Sequence, residues 1–368
     1  MAEIKETQEE IVEEGTHNYS SAKHYVKPTD PAVLEKLEWF QDQKLALMMH
    51  WGLYCQLGLM ASWPLSDEDS VWSQKAINWT DPATFKKQYY SLNKSFNPIR
   101  FQPEEWAQMA KDCGFKYLIL TTKHHDGFCM WDTKYSDFKV TAPDCSYHVN
   151  EHANIIKCMF DAFREKGLGI GAYFSKADWH TPYYRTPEIE DPNPTNRNPM
   201  YNPAEEPERW ENFVQYTKNQ VLELCEDYGP IDILWFDAGW VCARNGQDIR
   251  LGEIVDEARK IQPGIISADR TVGGPYENYV TPEQCVPDKP LGIPWESCLT
   301  LGDGFDYKFG DHYKSPRELV NTLVGIVAKG GNLALNLSPQ PDGRIPVDAM
   351  NSLRGLGEWL NTYGEAIY

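Results

Sequence analysis

From residue 45 onward, short apolar runs alternate with longer amphipathic stretches, and this alternation most restricts how the chain can fold. Residues 45–51 (LALMMHW), 116–121 (KYLILT), 168–174 (LGIGAYF), 231–236 (IDILWF), 265–268 and 332–337 (NLALNL) read as strands covered on both faces. Between them lie helix-like stretches at 103–113, 153–166, 208–228, 248–261, 316–329 and 347–362. The first two are stopped by Gly114 and Gly167. Helices alternating with apolar strands over most of 368 residues require a parallel sheet with crossovers. No strand is followed by a glycine-rich phosphate loop, and polar residues follow several strands rather than lining one crevice. The expected fold class is therefore α/β, a (β/α)8-like TIM barrel, over 31–368, with residues 1–30 as a polar N-terminal tail. Residues 181–207 carry six prolines before their end and no periodicity, which predicts a long functional or mobile loop over the barrel mouth.

Charge narrows the partners. A formal net charge of −19 repels phosphate backbones, so nucleic acid and anionic membrane are excluded as expected partners. Nine cysteines without a C-x-x-C pair read as reduced thiols. The N-terminus lacks a basic and then apolar leader, and no apolar run is long enough to span a membrane. A cytoplasmic location is the expectation for the sequence as written. Aromatics make up 13% of the chain, and flat aromatic faces stack well on the C–H faces of sugars.

The stretch IDILWFDAGW at 231–240 ends an apolar strand on Asp237. Burying an unpaired carboxylate costs several kcal/mol, which places Asp237 at the C-terminal mouth, where barrels gather catalytic groups. By itself it reads equally as a capping Asp in a loop. Three other strand ends carry comparable groups: His50; His124, His125 and Asp126; and Tyr173, Asp178 and Trp179. Four such ends together favour a functional mouth.

The alternatives are weaker. Adjacent His124 and His125 diverge on an extended chain, which makes them poor partners for one ion. The stretch HVNEH at 148–152 matches a short zinc-peptidase pattern, but Asn150 reads as a helix N-cap and leaves His148 outside the helix. No G-x-S-x-G elbow is present. No metal and no cofactor are expected. What remains is carboxylate chemistry, which on glycosides needs one ionised and one protonated carboxyl. Asp237 suits the first role, and Glu277, Glu283 and Glu296 are candidates for the second.

HWGLY at 50–54, FNPIRFQPEEWAQMAKDCGFKYLILTTKHHDGF at 96–128, LWFDAGW at 234–240 and NLALNLSPQPDGRIP at 332–346 together resemble glycoside hydrolase family 29, the α-L-fucosidases. The resemblance runs from about residue 32 to the end. It implies a (β/α)8-like barrel, hydrolysis with retention of anomeric configuration, no metal, and a fucosylated oligosaccharide or glycoconjugate as substrate. It places Asp237 at the nucleophile and Trp235 two residues before it. His50, His124 and His125 match histidines that hold fucose hydroxyls, expected here as donors. Tyr173 matches a tyrosine on the third strand and Arg270 an arginine near the nucleophile. Glu283, in TPEQ, is the first choice for acid/base and Glu296, in PWE, the second.

Two departures follow. Many relatives continue into a C-terminal β-sandwich, whereas this sequence stops where the barrel would. Residues 58–77 lack a G-E-W signature, and Trp63 or Trp72 is expected to supply the aromatic. Retention implies carboxyls roughly 5–5.5 Å apart. An apolar patch at the sugar's C6 methyl would suit fucose and a polar one α-L-galactose. A barrel that binds carbohydrate without catalysis is the competing class.

Overall fold

The computed structural model describes residues 24–58, 60–66, 82–186 and 197–368. Most of the 1–30 tail, Trp72 and the middle of the 181–207 loop lie outside them. Seven parallel strands form one sheet: β1 (Leu45–Met49), β2 (Tyr117–Lys123), β3 (Gly169–Ser175), β4 (Ile233–Asp237), β5 (Ile266–Asp269), β6 (Glu296–Thr300) and β7 (Asn332–Leu337). Their order is β5-β4-β3-β2-β1-β7-β6. The helices are α1 (Pro31–Gln43), α2 (Pro82–Tyr90), α3 (Pro103–Asp112), α4 (Ile155–Glu165), α5 (Pro207–Asp227), α6 (Leu251–Ile261), α7 (Pro316–Val327) and α8 (Val347–Tyr363). The edges β5 and β6 are linked by residues 277–284, whose bridges run from Ala268↔Glu277 to Val280↔Trp295 and Glu283↔Cys298. This irregular extended segment stands where an eighth strand would close the barrel.

Strand alternation sorts the side chains into two layers. Ala46, Met48, Tyr117, Ile119, Tyr173, Ile233, Trp235, Ile266, Ala268, Cys298 and Ala334 form one buried cluster, the barrel interior. Their neighbours Leu47, Leu118, Leu120, Phe174, Leu234, Phe236, Leu333 and Leu335 belong to a second cluster shared with the helices. Each fully buried Leu or Phe contributes about 1.5–3 kcal/mol of transfer free energy. Continuing the interior parity to the strand ends brings His50, Tyr173, Asp237, Arg270 and Asn336 to one mouth. The sequence pattern thus becomes a site.

Several expectations need correction. The helix α1 went unread although it starts on Asp30-Pro31, where the Asp30 carboxylate accepts the Ala32 N–H at 2.9 Å. Strand β6 also went unread, because ESCLT carries three polar residues and no apolar run. The N-cap of α4 is Asn154, not Asn150; Asn150 instead accepts the His152 N–H at 2.8 Å. His148 lies in a 3-10 turn, bonding the Cys145 carbonyl at 2.7 Å, so HVNEH does not share a helix face. The described residues contain no helix long and apolar enough to cross a membrane.

Candidate active site

A cavity of about 980 Å³ opens at the C-terminal ends of the strands. His50, Trp63, His124, Tyr173, Trp235, Asp237, Arg270 and Glu283 all line it. Three of these groups share a backbone feature: Asp237, Arg270 and Glu283 are each followed by a non-glycine residue at positive φ. These are Ala238 (68°), Thr271 (66°) and Gln284 (54°). Such conformations cost on the order of 1–3 kcal/mol each and concentrate at functional sites. Here they turn the chain away immediately after the polar side chain has entered the mouth.

Arg270 joins the two carboxylates. Its Nη1 donates to Asp237 Oδ1 at 3.1 Å and its Nη2 to Glu283 Oε2. Its guanidinium carbon lies 4.9 Å over the Trp235 ring, which stacks in turn on Tyr173 at 5.1 Å and 20°. Tyr173 donates its hydroxyl to Asp237 Oδ2. Burial pushes the Asp237 carboxyl up, but the Arg270 charge and the Tyr173 hydrogen bond outweigh it and hold the group well below the usual carboxylate range. The surroundings thus favour the carboxylate form of Asp237.

The histidines are neutral. Burial lowers His50 and His125 to about 4 and His124 well below its ordinary value. His50 donates Nδ1–H to Asn336 Oδ1 at 2.7 Å, and Asn336 donates to the Phe305 carbonyl at 2.7 Å. For His125, Ser175 donates its hydroxyl to the Ala177 carbonyl, so the Ser175 oxygen accepts His125 Nδ1–H at 2.7 Å. Both rings therefore present an unprotonated Nε2. At Nε2 each ring offers an acceptor, whereas the sequence expectation was a donor. His124 pairs its Nδ1 with Ser62.

His125 does not line the cavity. It sits one layer back, fully buried, with Trp63, Trp179 and Trp240 each about 5 Å away between ring centroids. Its Nε2 lacks a hydrogen-bond partner and lies 3.9 Å from Asp237 Oδ2. The expected divergence of His124 and His125 is also wrong. Strand β2 ends at Lys123, the chain turns through Gly127 at φ 80°, and the two rings meet at 4.1 Å. A Cβ at Gly127 would approach Asp178 Oδ1 to 2.3 Å, so glycine is required there. His124, His125 and Asp237 offer donor atoms within 4.8 Å of one another. The Arg270 charge on the same carboxylate opposes a resident cation there.

The two acid/base candidates separate clearly. Glu283 sits at the mouth beside Arg270. Glu296 is the first residue of β6, pairs in register with Asn332 at the start of β7, and is fully buried. It lies at the opposite end of the barrel, accepting from the Tyr117 hydroxyl. The second choice is therefore placed away from the cavity, because an unread strand put it at the wrong end. Sequence reasoning also missed Asn336, Ser62, Ser175 and Trp240. Asn336 had a signal, as a polar residue at interior parity in an apolar strand; Ser62 and Ser175 had none.

Comparison with known proteins identifies the family and the fold. The family profile described as Alpha-L-fucosidase matches residues 13–365. The plasma alpha-L-fucosidase of Rattus norvegicus is 29% identical over 345 residues, covering 90% of this chain and 70% of its own. Among solved structures, the Thermotoga maritima alpha-fucosidase in complex with fucose is 31% identical with a TM-score of 0.70, over 95% of this chain and 77% of its own. A Bacteroides thetaiotaomicron alpha-L-fucosidase, trapped as a covalent intermediate with 2-fluoro-fucosyl fluoride, is 26% identical with a TM-score of 0.72, over 94% of this chain and 79% of its own. The (β/α)8-like catalytic barrel is common to them, and the chain belongs to the α-L-fucosidase family, glycoside hydrolase family 29.

Proposed function

We propose that this chain hydrolyses terminal α-L-fucosyl residues by double displacement, with Asp237 as nucleophile and Glu283 as acid/base. The observation that carries this reading is Arg270 donating to both carboxylates at one strand-end mouth. In the first step Asp237 Oδ attacks the anomeric carbon while Glu283 gives its proton to the leaving oxygen, and the glycosidic bond breaks. In the second, Glu283 takes a proton from water, whose oxygen attacks the same carbon and frees Asp237.

Charge balance supports the division of roles. One guanidinium facing two partly buried carboxylates leaves a negative charge uncompensated, and a proton on Glu283 makes the group neutral. Once Asp237 is esterified, its charge is gone and Arg270 stabilises an ionised Glu283, the form needed as base. His50 accepts a hydrogen bond from one sugar hydroxyl at Nε2 and His124 pairs with another, which orients the sugar. Met48, Met60 and Phe305 supply apolar lining, suited to a 6-deoxy sugar.

Asp237→Ala with azide is the direct test. Turnover of an aryl α-L-fucoside should be lost and partly restored by azide, yielding a β-fucosyl azide; loss without rescue removes the nucleophile assignment. A panel of aryl α-L-fucoside and α-L-galactoside should favour the fucoside, and preference for the galactoside overturns the substrate assignment.

A further inference from the structure

A second cavity, of about 450 Å³, opens beside the first and shares three walls with it: Arg197, Trp240 and Asn245. The first cavity is already near the upper end of the roughly 300–1,000 Å³ that hold a whole drug-sized ligand, so one monosaccharide does not need the second. Its own walls include Asn198, Tyr201 and Gln247. Aromatic faces beside carboxamides are the chemistry that recognises a neutral sugar ring: flat stacking on C–H faces, with amides donating and accepting at hydroxyls.

This cavity is a built wall. Gln247 Nε2 donates to Asn198 Oδ1 at 2.8 Å, and Tyr184 donates to Gln247 Oε1 at 2.8 Å. The Trp179 indole donates to the Arg197 carbonyl at 3.0 Å, and the Met200 N–H to the Tyr184 carbonyl at 3.1 Å. Tyr201 donates its hydroxyl to the Tyr183 carbonyl at 2.6 Å, and the Arg209 guanidinium backs its ring at 4.2 Å. The described end of the proline-rich loop is thus held as one side of the cavity. Its position relative to the chemistry follows from the turn at 243–245. Arg244 donates to the carbonyl of Thr271, the residue after Arg270, at 3.2 Å, and Asn245 donates to the Trp240 carbonyl at 2.9 Å. That turn spans from the Arg270–Glu283 side, where a leaving oxygen is protonated, to the wall between the cavities.

We propose that the second cavity is a leaving-group subsite that takes one sugar ring of a fucosylated oligosaccharide, stacked against Tyr201, while Trp240, its ring covered by the Arg197 guanidinium at 4.9 Å, forms the wall toward the first cavity. The proposal rests on the fucosidase reading above. Its test compares kcat/KM for 4-nitrophenyl α-L-fucoside and a set of fucosyl-lactoses of different linkage, in the wild type, Tyr201→Ala, Tyr201→Phe and Asn198→Ala. Tyr201→Ala should cost about tenfold on the fucosyl-lactose that the wild type cleaves best, and less than twofold on the aryl fucoside. Tyr201→Phe, which keeps the ring, should restore most of that loss, and Asn198→Ala should show the same selective defect. Equal losses on both substrates, or no loss in either alanine variant, overturn the subsite. So does a wild type that cleaves the aryl fucoside and none of the fucosyl-lactoses, which leaves the fucosidase reading standing. A wild type inactive on the aryl fucoside removes that reading itself.

Discussion

Arg270 Nη1 reaches Asp237 Oδ1 at 3.1 Å, from a guanidinium that is itself buried and stacked over Trp235. The pair fixes both the charge and the direction of the attacking carboxylate. Replacing Arg270 with Met removes the cation that counters Asp237's desolvation, so the Asp237 carboxyl rises. The acid limb of the kcat/KM profile should move to higher pH, and kcat should fall on the order of 10²–10³-fold. Lysine should rescue poorly, because it lacks the fork and the stacking plane. A pH–rate profile of both variants checks this; an unmoved acid limb removes the role.

Leaving-group dependence separates the two glutamates. Glu283→Ala should keep much of its rate on an aryl fucoside with a strongly acidic phenol and lose on the order of 10²–10⁴-fold on poor leaving groups. Glu296→Gln should show no such dependence, since its side chain lies at the far end of the barrel. The slope of log kcat/KM against phenol pKa is the measurement, and a steep slope in Glu296→Gln alone would reverse the assignment.

Glu296 has a different signature, in stability. Burial pushes its carboxyl up to about 7, while the Tyr117 hydrogen bond pulls the other way. The folded protein therefore holds a proton that the unfolded chain releases near its ordinary value of about 4.3. The stabilisation is complete below that value and is lost as pH rises through about 7. Wild type should lose on the order of 1–3 kcal/mol relative to Glu296→Gln between pH ~5 and ~8. Thermal denaturation of both proteins at the two pH values reads this; parallel curves rule it out.

Asn336 sets the His50 tautomer. Asn336→Ala leaves His50 Nδ1–H without its acceptor and frees the ring to turn, which should cost about 10–100-fold in kcat/KM, mainly through KM. An unchanged KM, measured on an aryl fucoside, would show that His50 is oriented by its other contacts.

Exhaustive chelation should leave turnover unchanged, despite the closeness of His124, His125 and Asp237. Loss of activity on chelation, restored by a divalent cation, would replace the two-carboxylate mechanism with a metal-assisted one.

How far the sequence reached depends on the kind of signal. Strand ends were legible where an apolar run stopped on a polar residue, as at His50 and Asp237. The run before Glu296 was missing, so a strand start was read as a loop and a buried carboxyl as a catalytic candidate. His124 and His125 were judged on extended geometry, but the chain turns immediately after Lys123.

Local pattern alone determined the parallel sheet, the interior parity and the carboxylate at residue 237, because apolar burial and strand alternation act over a few neighbouring residues. Only the tertiary structure decided which glutamate lies beside Asp237 and how the histidine rings at the mouth are hydrogen-bonded. Those outcomes depend on hydrogen bonds and charges from residues distant along the chain: Arg270 to Glu283, Asn336 to His50, and Ser62 to His124.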